Sequence, residues 1–369
     1  MAFFDSLFNT LKKEETSVLG VDIGSSSLKV VQLRKERGQA ILETYGELAL
    51  GPYGGSEVGQ ATNLSAEQIT ETLKDLLREA KVTTTNCGVS VPFARSLLTL
   101  VKLPYRKNPE EQKTVIELEA RKYIPVTVSE VQLDWFIVPE AEPAQFAEDE
   151  SARGREPKAD TVDVLLVAVH NDELSLLQGV VAGAGLKASF YEIEIFSTIR
   201  AVVDDPVKPV MIIDVGAAST KTYVVEHGVV ALSHAISVGS QDITRAISVS
   251  GNVSIVAAEA LKKKEGLGDG GALGSPELVF SRIFSEVRRV LMQYETSRKK
   301  SITSIVFTGG GGVTKELGSY AKSTFSIDVY VADPFSKTEA PAFMRPVLEE
   351  IGPEFAVAVG LALRKLEES

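Results

Sequence analysis

Residues 18–31 read Val-Leu-Gly-Val-Asp-Ile-Gly-Ser-Ser-Ser-Leu-Lys-Val-Val, and the fold is decided by how this stretch is interpreted. Val18 to Val21 are the end of a buried strand. Asp22 and Gly24 open a tight turn built from Ser25, Ser26 and Ser27, and Leu28 to Leu33 alternate well enough to return as a second strand. A hairpin of this kind gathers backbone N–H groups and hydroxyls at one spot, as phosphate cradles do. Asp22 suits a hydrated divalent cation, because Mg2+ keeps its waters and takes few carboxylates. Lys29, seven residues after Asp22, reaches a phosphate as a point charge. Taken alone, Asp-x-Gly is more often a plain hairpin turn.

A second copy changes that balance. Residues 210–225 read Val-Met-Ile-Ile-Asp-Val-Gly-Ala-Ala-Ser-Thr-Lys-Thr-Tyr-Val-Val. Asp214 and Gly216 repeat Asp22 and Gly24, the turn Ala217, Ala218, Ser219 and Thr220 repeats the small-residue loop, and Lys221 again follows its aspartate by seven residues. Two related hairpins far apart in the chain predict two similar lobes facing each other across a cleft, with Asp22 and Asp214 as candidate holders of a metal ion. A third element, Ser304 to Val313, is a strand running into Gly309, Gly310, Gly311 and Gly312. Consecutive glycines let backbone approach a flat ligand.

Composition bounds the reading. The 369 residues suffice for two domains. A net charge of -11 argues against a general nucleic-acid surface. One cysteine, Cys87, excludes an intrachain disulfide and fits a reducing compartment. His170, His227 and His234 show no metal-ligand spacing. No apolar run approaches the ~20 residues of a membrane span, and no basic segment precedes the N-terminal apolar residues, so no secretory signal is expected. Phe3, Phe4, Leu7, Phe8 and Leu11 share one helical face, which predicts an amphipathic helix over residues 2–13. Ser65 with Gln68 predicts a capped helix over residues 65–80. Residues 139–160, rich in Pro, Ala, Glu and Asp, predict a flexible acidic loop.

In this order the three glycine-bearing elements resemble the two phosphate loops and the adenosine loop of the actin-like ATPase superfamily. An extra strand–helix–strand–strand–helix segment over 95–190, with Lys102-Leu-Pro104 and Glu119-Ala-Arg-Lys-Tyr-Ile-Pro125, narrows the resemblance to the FtsA-like branch and, within it, to the PilM family of type IV pilus assembly proteins. The implied fold is α/β, an actin-like ATPase fold of two ribonuclease-H-like lobes with an inserted small α+β subdomain. Its parts are an N-terminal segment (1–17), the first lobe (18–94), the insert (95–190), a connecting helix and link (191–209), the second lobe (210–352) and a returning helix (353–369). In that second helix Ala356 and Gly360 sit one turn apart, suited to a close helix crossing.

The resemblance further implies ATP with Mg2+ in the cleft and at most slow hydrolysis. Glu259 and Lys262, one helical turn apart, with Lys263 beside them, correspond to the pair that holds ribose and adenine, and Gly239 matches one of a usual glycine pair. Glu194, or alternatively Glu192, corresponds to the group that polarises water. The implied partner is the cytoplasmic N-terminal tail of a PilN-like inner-membrane protein, alongside other pilus motor components, and the contact candidates are Leu103, Pro104, Tyr123, Ile124 and Pro125. The implied location is the cytoplasm, peripheral to the inner membrane, with membrane contact through residues 2–13 and self-association as further options. No nucleic-acid partner is expected. The alternatives are an FtsA-like cell-division protein, disfavoured because the chain stops directly after the second connecting helix, and a sugar or acetate kinase, disfavoured because no catalytic base is evident.

Overall fold

The computed structural model describes residues 17–138, 161–268 and 275–367. The expected helix over 2–13, the acidic loop 139–160 and residues 269–274 of a glycine-rich loop lie outside the described residues.

Two five-stranded sheets share one topology. In the first, β1 (Ser17–Ile23) pairs antiparallel with β2 (Ser27–Glu36), β2 pairs antiparallel with β3 (Gln39–Ala49), and β4 (Asn86–Val91) and β8 (Lys187–Ile193) add parallel on the other side of β1. The second repeats this with β9 (Val210–Val215), β10 (Thr220–Glu226), β11 (Val229–Ile236), β12 (Ser304–Thr308) and β13 (Asp328–Val331), ordered β11-β10-β9-β12-β13. Strand interiors such as Val18, Leu19 and Val21, or Met211, Ile212 and Ile213, are fully buried. Apolar side chains on both faces of a strand require a covering layer on each side. In the first lobe α1 (Ala66–Glu79) and α3 (Asn171–Gly183) cover one face. In the second the long α7 (Ser275–Arg298) does so, through Phe280, Phe284 and Val287. The predicted cap forms: Ser65 Oγ accepts from the Gln68 amide at 3.3 Å and Gln68 Oε1 accepts from the Ser65 amide at 3.0 Å.

Between β4 and β8 the chain builds a third sheet, ordered β5-β7-β6, from β5 (Ser96–Pro104), β6 (Val131–Ile137) and β7 (Thr161–His170). The helix α2 (Pro109–Ala120) closes one face of it over Val101, Leu103, Val164 and Leu166. The expected insert, 95–190, runs past this unit. The helix α3 packs on α1, and β8 completes the first sheet, so the small sheet ends at His170. The opposite face of the small sheet turns toward the second lobe: Leu98, Val167 and Val169 join a core that includes Tyr223, Val225 and Val230, and Arg298 Nη1 meets Asp163 Oδ2 at 3.1 Å.

Two helices cross between the lobes, α4 (Glu194–Val202) and α10 (Ala356–Glu367). Gly360 makes the crossing, since a Cβ there would lie 1.9 Å from the Ser197 carbonyl oxygen. Glu192, on β8, pins them together. It takes Arg200 Nη1 at 2.8 Å and Nη2 at 2.9 Å, Arg364 Nη1 at 2.9 Å, and the Ser197 hydroxyl at 2.5 Å. The alternative role of Glu192 as a water activator is therefore corrected: its carboxylate is buried and spent on two guanidinium groups.

Candidate functional site

The strand registers bring the repeated residues together. Asp22 stands opposite Lys29 across β1–β2, and Asp214 stands opposite Lys221 across β9–β10. Each turn is closed by a short amide bond, Gly24 N to Ser27 O at 3.1 Å and Gly216 N to Ser219 O at 3.0 Å. The carbonyls of Ser25 and Ser26 face away from the turn and accept from Thr62 and Leu50, both at 2.9 Å. Those of Gly216 and Ala217 accept from Ser240 at 2.9 Å and Gln241 at 3.1 Å, on the first turn of α5 (Ser240–Gly251). Because a trans peptide sets its N–H opposite its C=O, the amides of Ser26 and Ser27, and of Ala217 and Ala218, point the other way. Gly239 anchors the start of α5 by donating to Asp242 Oδ2 at 2.8 Å. The Thr220 hydroxyl faces inward, donating to the Val238 carbonyl at 2.8 Å.

The charges between the turns are coupled. Asp22 accepts from Ser90 Oγ at 2.9 Å. Burial, with the nearby Glu194 charge, raises its carboxyl to about 6, against the opposing pull of Lys29 and Lys221. Lys221 Nζ donates to Glu194 Oε2 at 2.6 Å and Asp214 Oδ2 at 3.0 Å. Burial works against that ammonium, but Asp214 and Glu194 outweigh it and hold it firmly protonated. Glu194 Oε1 accepts from the Phe93 amide at 2.6 Å, so both carboxylate oxygens are engaged. Lys29 donates to Ser27 Oγ at 2.6 Å and pairs with Glu47 at 2.9 Å. Burial disfavours its charge, while Glu47, Asp22 and Glu354 more than compensate and raise its pKa.

The nucleoside candidates also cluster. On α6 (Ile255–Glu265), Glu259 pairs with Lys262 at 2.7 Å and accepts from the Thr244 hydroxyl at 2.6 Å. Burial pulls the Lys262 pKa down despite Glu259. Lys263 is exposed and more distant from Glu259, at 3.9 Å. Of the four glycines, Gly309 adopts φ 78° and a Cβ there would lie 2.3 Å from Asp214 Oδ1. Gly310 is exposed, and a Cβ there would make only ordinary contact with the Glu354 side chain, 3.6 Å from its Cδ. Gly311 and Gly312 are buried against Val215 and Thr308, so they shape the loop from behind and offer no surface.

Two of the candidate partner contacts are corrected. Leu103 and Ile124 are buried members of the insert's own core, because they fall on the α2-facing side of the small sheet and its following turn. Pro104, Tyr123 and Pro125 are exposed.

Sequence reasoning missed Glu47, Gln241, and Glu354 in the 3-10 turn Gly352–Phe355. Burial, then the neighbouring Glu47, raises the Glu354 carboxyl. Glu354 follows Pro353, whose carbonyl receives the Gly309 amide at 2.9 Å and the Thr308 hydroxyl at 2.8 Å, contacts that the sequence does not mark.

The family model for the type IV pilus assembly protein PilM matches residues 20–366. The chain belongs to the PilM family. Among solved structures it is similar to a PilM-PilN type IV pilus biogenesis complex, at TM-score 0.78 and 24% identity over 95% of this chain and 99% of that one. It is also similar to the ethanolamine utilization protein EutJ from Carboxydothermus hydrogenoformans (TM-score 0.55, 13% identity, 94% and 89% covered). A third likeness is to MreB 5 of Spiroplasma citri bound to AMPPNP (TM-score 0.54, 12% identity, 96% and 98% covered). The fold is thus that of the actin-like ATPases, and PilM membership sets the FtsA-like and kinase alternatives aside. Among the described residues no helix is long and apolar enough to cross a membrane.

The cleft chemistry fits a magnesium nucleotide. It offers two ammonium groups, two sets of outward amides, a carboxyl raised by burial and by the neighbouring Glu194, and a glycine loop in which Gly309, Gly311 and Gly312 leave no room for a side chain. Among the described residues no group of three or more His, Cys, Asp or Glu side chains is placed to hold a metal directly. A hydrated Mg2+ bound mainly through phosphate needs only one or two carboxylates.

Proposed function

We propose that the cleft binds Mg-ATP and that this PilM-family chain is a cytoplasmic adaptor at the inner face of the membrane, gripping the N-terminal tail of a PilN-like protein. The observation that carries the nucleotide reading is the repeated cross-strand pairing of Asp22 with Lys29 and Asp214 with Lys221, one in each lobe. Lys29 and the amides of Ser26, Ser27, Ala217 and Ala218 serve the phosphates. Asp22, with Asp214, receives the hydrated cation. Gly309 and Gly310, with Glu259 and Lys262, take the nucleoside.

When bound, Mg-ATP supplies a γ-phosphoryl group open to attack by water. Hydrolysis needs that water oriented and transition-state charge neutralised. Glu194 is the chain's candidate for orienting it, but its two oxygens already accept from Phe93 and Lys221. Contacts of equal strength in ground and transition states give affinity without rate, so the nucleotide acts mainly to fix the two lobes against each other.

The partner reading rests on family membership and on the exposed Pro104, Tyr123 and Pro125 of the insert. Calorimetry of the full chain with Mg-ATP, and with a synthetic PilN-type tail peptide, tests both parts. Asp22→Ala is expected to weaken Mg-ATP binding at least tenfold. Indifference to Asp22→Ala, or turnover near the ~10 s⁻¹ of an ordinary enzyme, would sink the reading.

A further inference from the structure

Residues 50–62, which leave β3 and lead into α1, run across the cleft. The backbone touches the first phosphate turn at both ends, Leu50 N to Ser26 O and Thr62 N to Ser25 O, each at 2.9 Å. Between those points it reaches the second lobe. The Ala61 amide donates to Gln241 Oε1 at 3.1 Å, and the Gln241 amide in turn donates to the Ala217 carbonyl of the second phosphate turn at 3.1 Å. Gly59, at φ 85°, presses on the nucleoside pair so closely that a Cβ would lie 2.9 Å from Glu259 Cδ.

Gln60 therefore sits in the chain between a residue at Glu259 and a residue at Gln241, and two before the one at Ser25. Its Nε2 is buried and has no hydrogen-bond partner. A buried amide donor without an acceptor is costly and rare in native structures. No apolar packing role requires a carboxamide at this position.

We infer that residues 57–62 are a strap that completes the nucleotide site, with Gln60 donating from Nε2 to an oxygen of the bound nucleotide and Gly59 admitting the strap to Glu259. The inference rests on the nucleotide reading above. It adds a contact from the first lobe that the hairpins do not contain, and it makes closure over the ligand a first-lobe event read by the second lobe through Gln241.

Three measurements on the full chain decide it: Mg-ATP affinity by calorimetry, melting without nucleotide, and hydrogen exchange over residues 57–62. Gln60→Leu keeps the bulk and removes the orphan donor. It is expected to melt no lower than the parent without nucleotide while binding Mg-ATP about tenfold more weakly. Gln60→Leu with parental affinity overturns the contact. Gly59→Ala is expected to lose the ATP-induced protection of residues 57–62, and if it keeps both that protection and parental affinity the strap is overturned. A parent chain that binds no Mg-ATP at all fells the nucleotide reading itself, a result distinct from either variant outcome.

Discussion

Lys221 on β10 holds Glu194 at the start of α4 through a 2.6 Å ion pair, and the same ammonium lies 3.0 Å from Asp214. A single cation thus neutralises two carboxylates whose side chains are almost wholly covered, with Asp22 close enough to feel both Glu194 and Lys221. Removing one partner of a buried ion pair leaves uncompensated charge, at a cost of about 3–5 kcal/mol. Lys221→Met is predicted to lose stability of that order in urea unfolding. Part should return on adding Mg2+, and none on adding Na+ at matched ionic strength, because a divalent ion replaces the missing charge.

The Asp22 carboxyl gives a pH test. Its value rises from 3.8 to about 6, chiefly through burial and then through Glu194. The folded state therefore holds this proton more tightly than the unfolded chain. Its contribution to stability is complete below the unfolded value and is lost as pH rises through the folded one. Asp22→Asn is predicted to flatten that decline and to exceed the parent at pH 7, without nucleotide, by on the order of 2 kcal/mol after allowance for partial exposure. Chemical denaturation from pH 4 to 7 measures it. An unchanged slope in the variant would assign the decline to other groups.

Gly360 supplies a packing test. The Ser197 carbonyl leaves no space for a methyl group at that position, and backbone on both sides limits relaxation. Gly360→Ala is predicted to cost more than about 3 kcal/mol, among the larger effects of single substitutions. Gly318→Ala, in α8 (Leu317–Phe325) and with nothing near its Cβ position, should stabilise slightly through helix propensity. Paired thermal melts of the two variants separate crossing geometry from a general response to alanine.

Much of this was legible because the chemistry repeats. Two Asp-x-Gly hairpins with a lysine at the same offset disclosed two lobes, and the spacing of Ala356 and Gly360 disclosed the helix crossing. Contacts that depend on register were not legible. Lys29 pairs with Glu47 only because a bulge between Gln32 and Leu33 shifts the β2–β3 ladder by one residue. Counting back from the turn at Arg37 and Gly38 without that bulge places Lys29 opposite Gly46, and such bulges carry no sequence mark here. Leu103 and Ile124 were misjudged for a related reason. Which face of a strand or turn is covered depends on a helix packed over it, and the motif at residues 102–104 does not say which side α2 takes.

That correction divides the insert's surface into testable halves. Leu103 is 1% exposed in the insert core, so Leu103→Ala is predicted to destabilise by about 2–5 kcal/mol, as large-to-small core changes do. Tyr123 is 41% exposed, and Tyr123→Ala should leave the melting profile within about 0.5 kcal/mol of the parent while weakening tail-peptide binding. Calorimetry with the peptide and a melting curve for each variant tell them apart. Parental peptide affinity in Tyr123→Ala would move the partner surface elsewhere.

The insert is joined covalently to the first lobe at both ends, yet it leans on the second through Leu98, Val169 and the 3.1 Å contact of Arg298 with Asp163. It is therefore an arm attached to one lobe and seated on the other. A pull on the arm does work on the angle between the lobes, and a change in that angle displaces the arm. Thermodynamic linkage makes this exchange symmetrical: the factor by which Mg-ATP alters tail-peptide affinity must equal the factor by which the peptide alters Mg-ATP affinity. We predict that Arg298→Ala, which slackens the arm without touching either ligand, brings both factors toward one together. Four-way calorimetry of the parent and variant would expose any inequality.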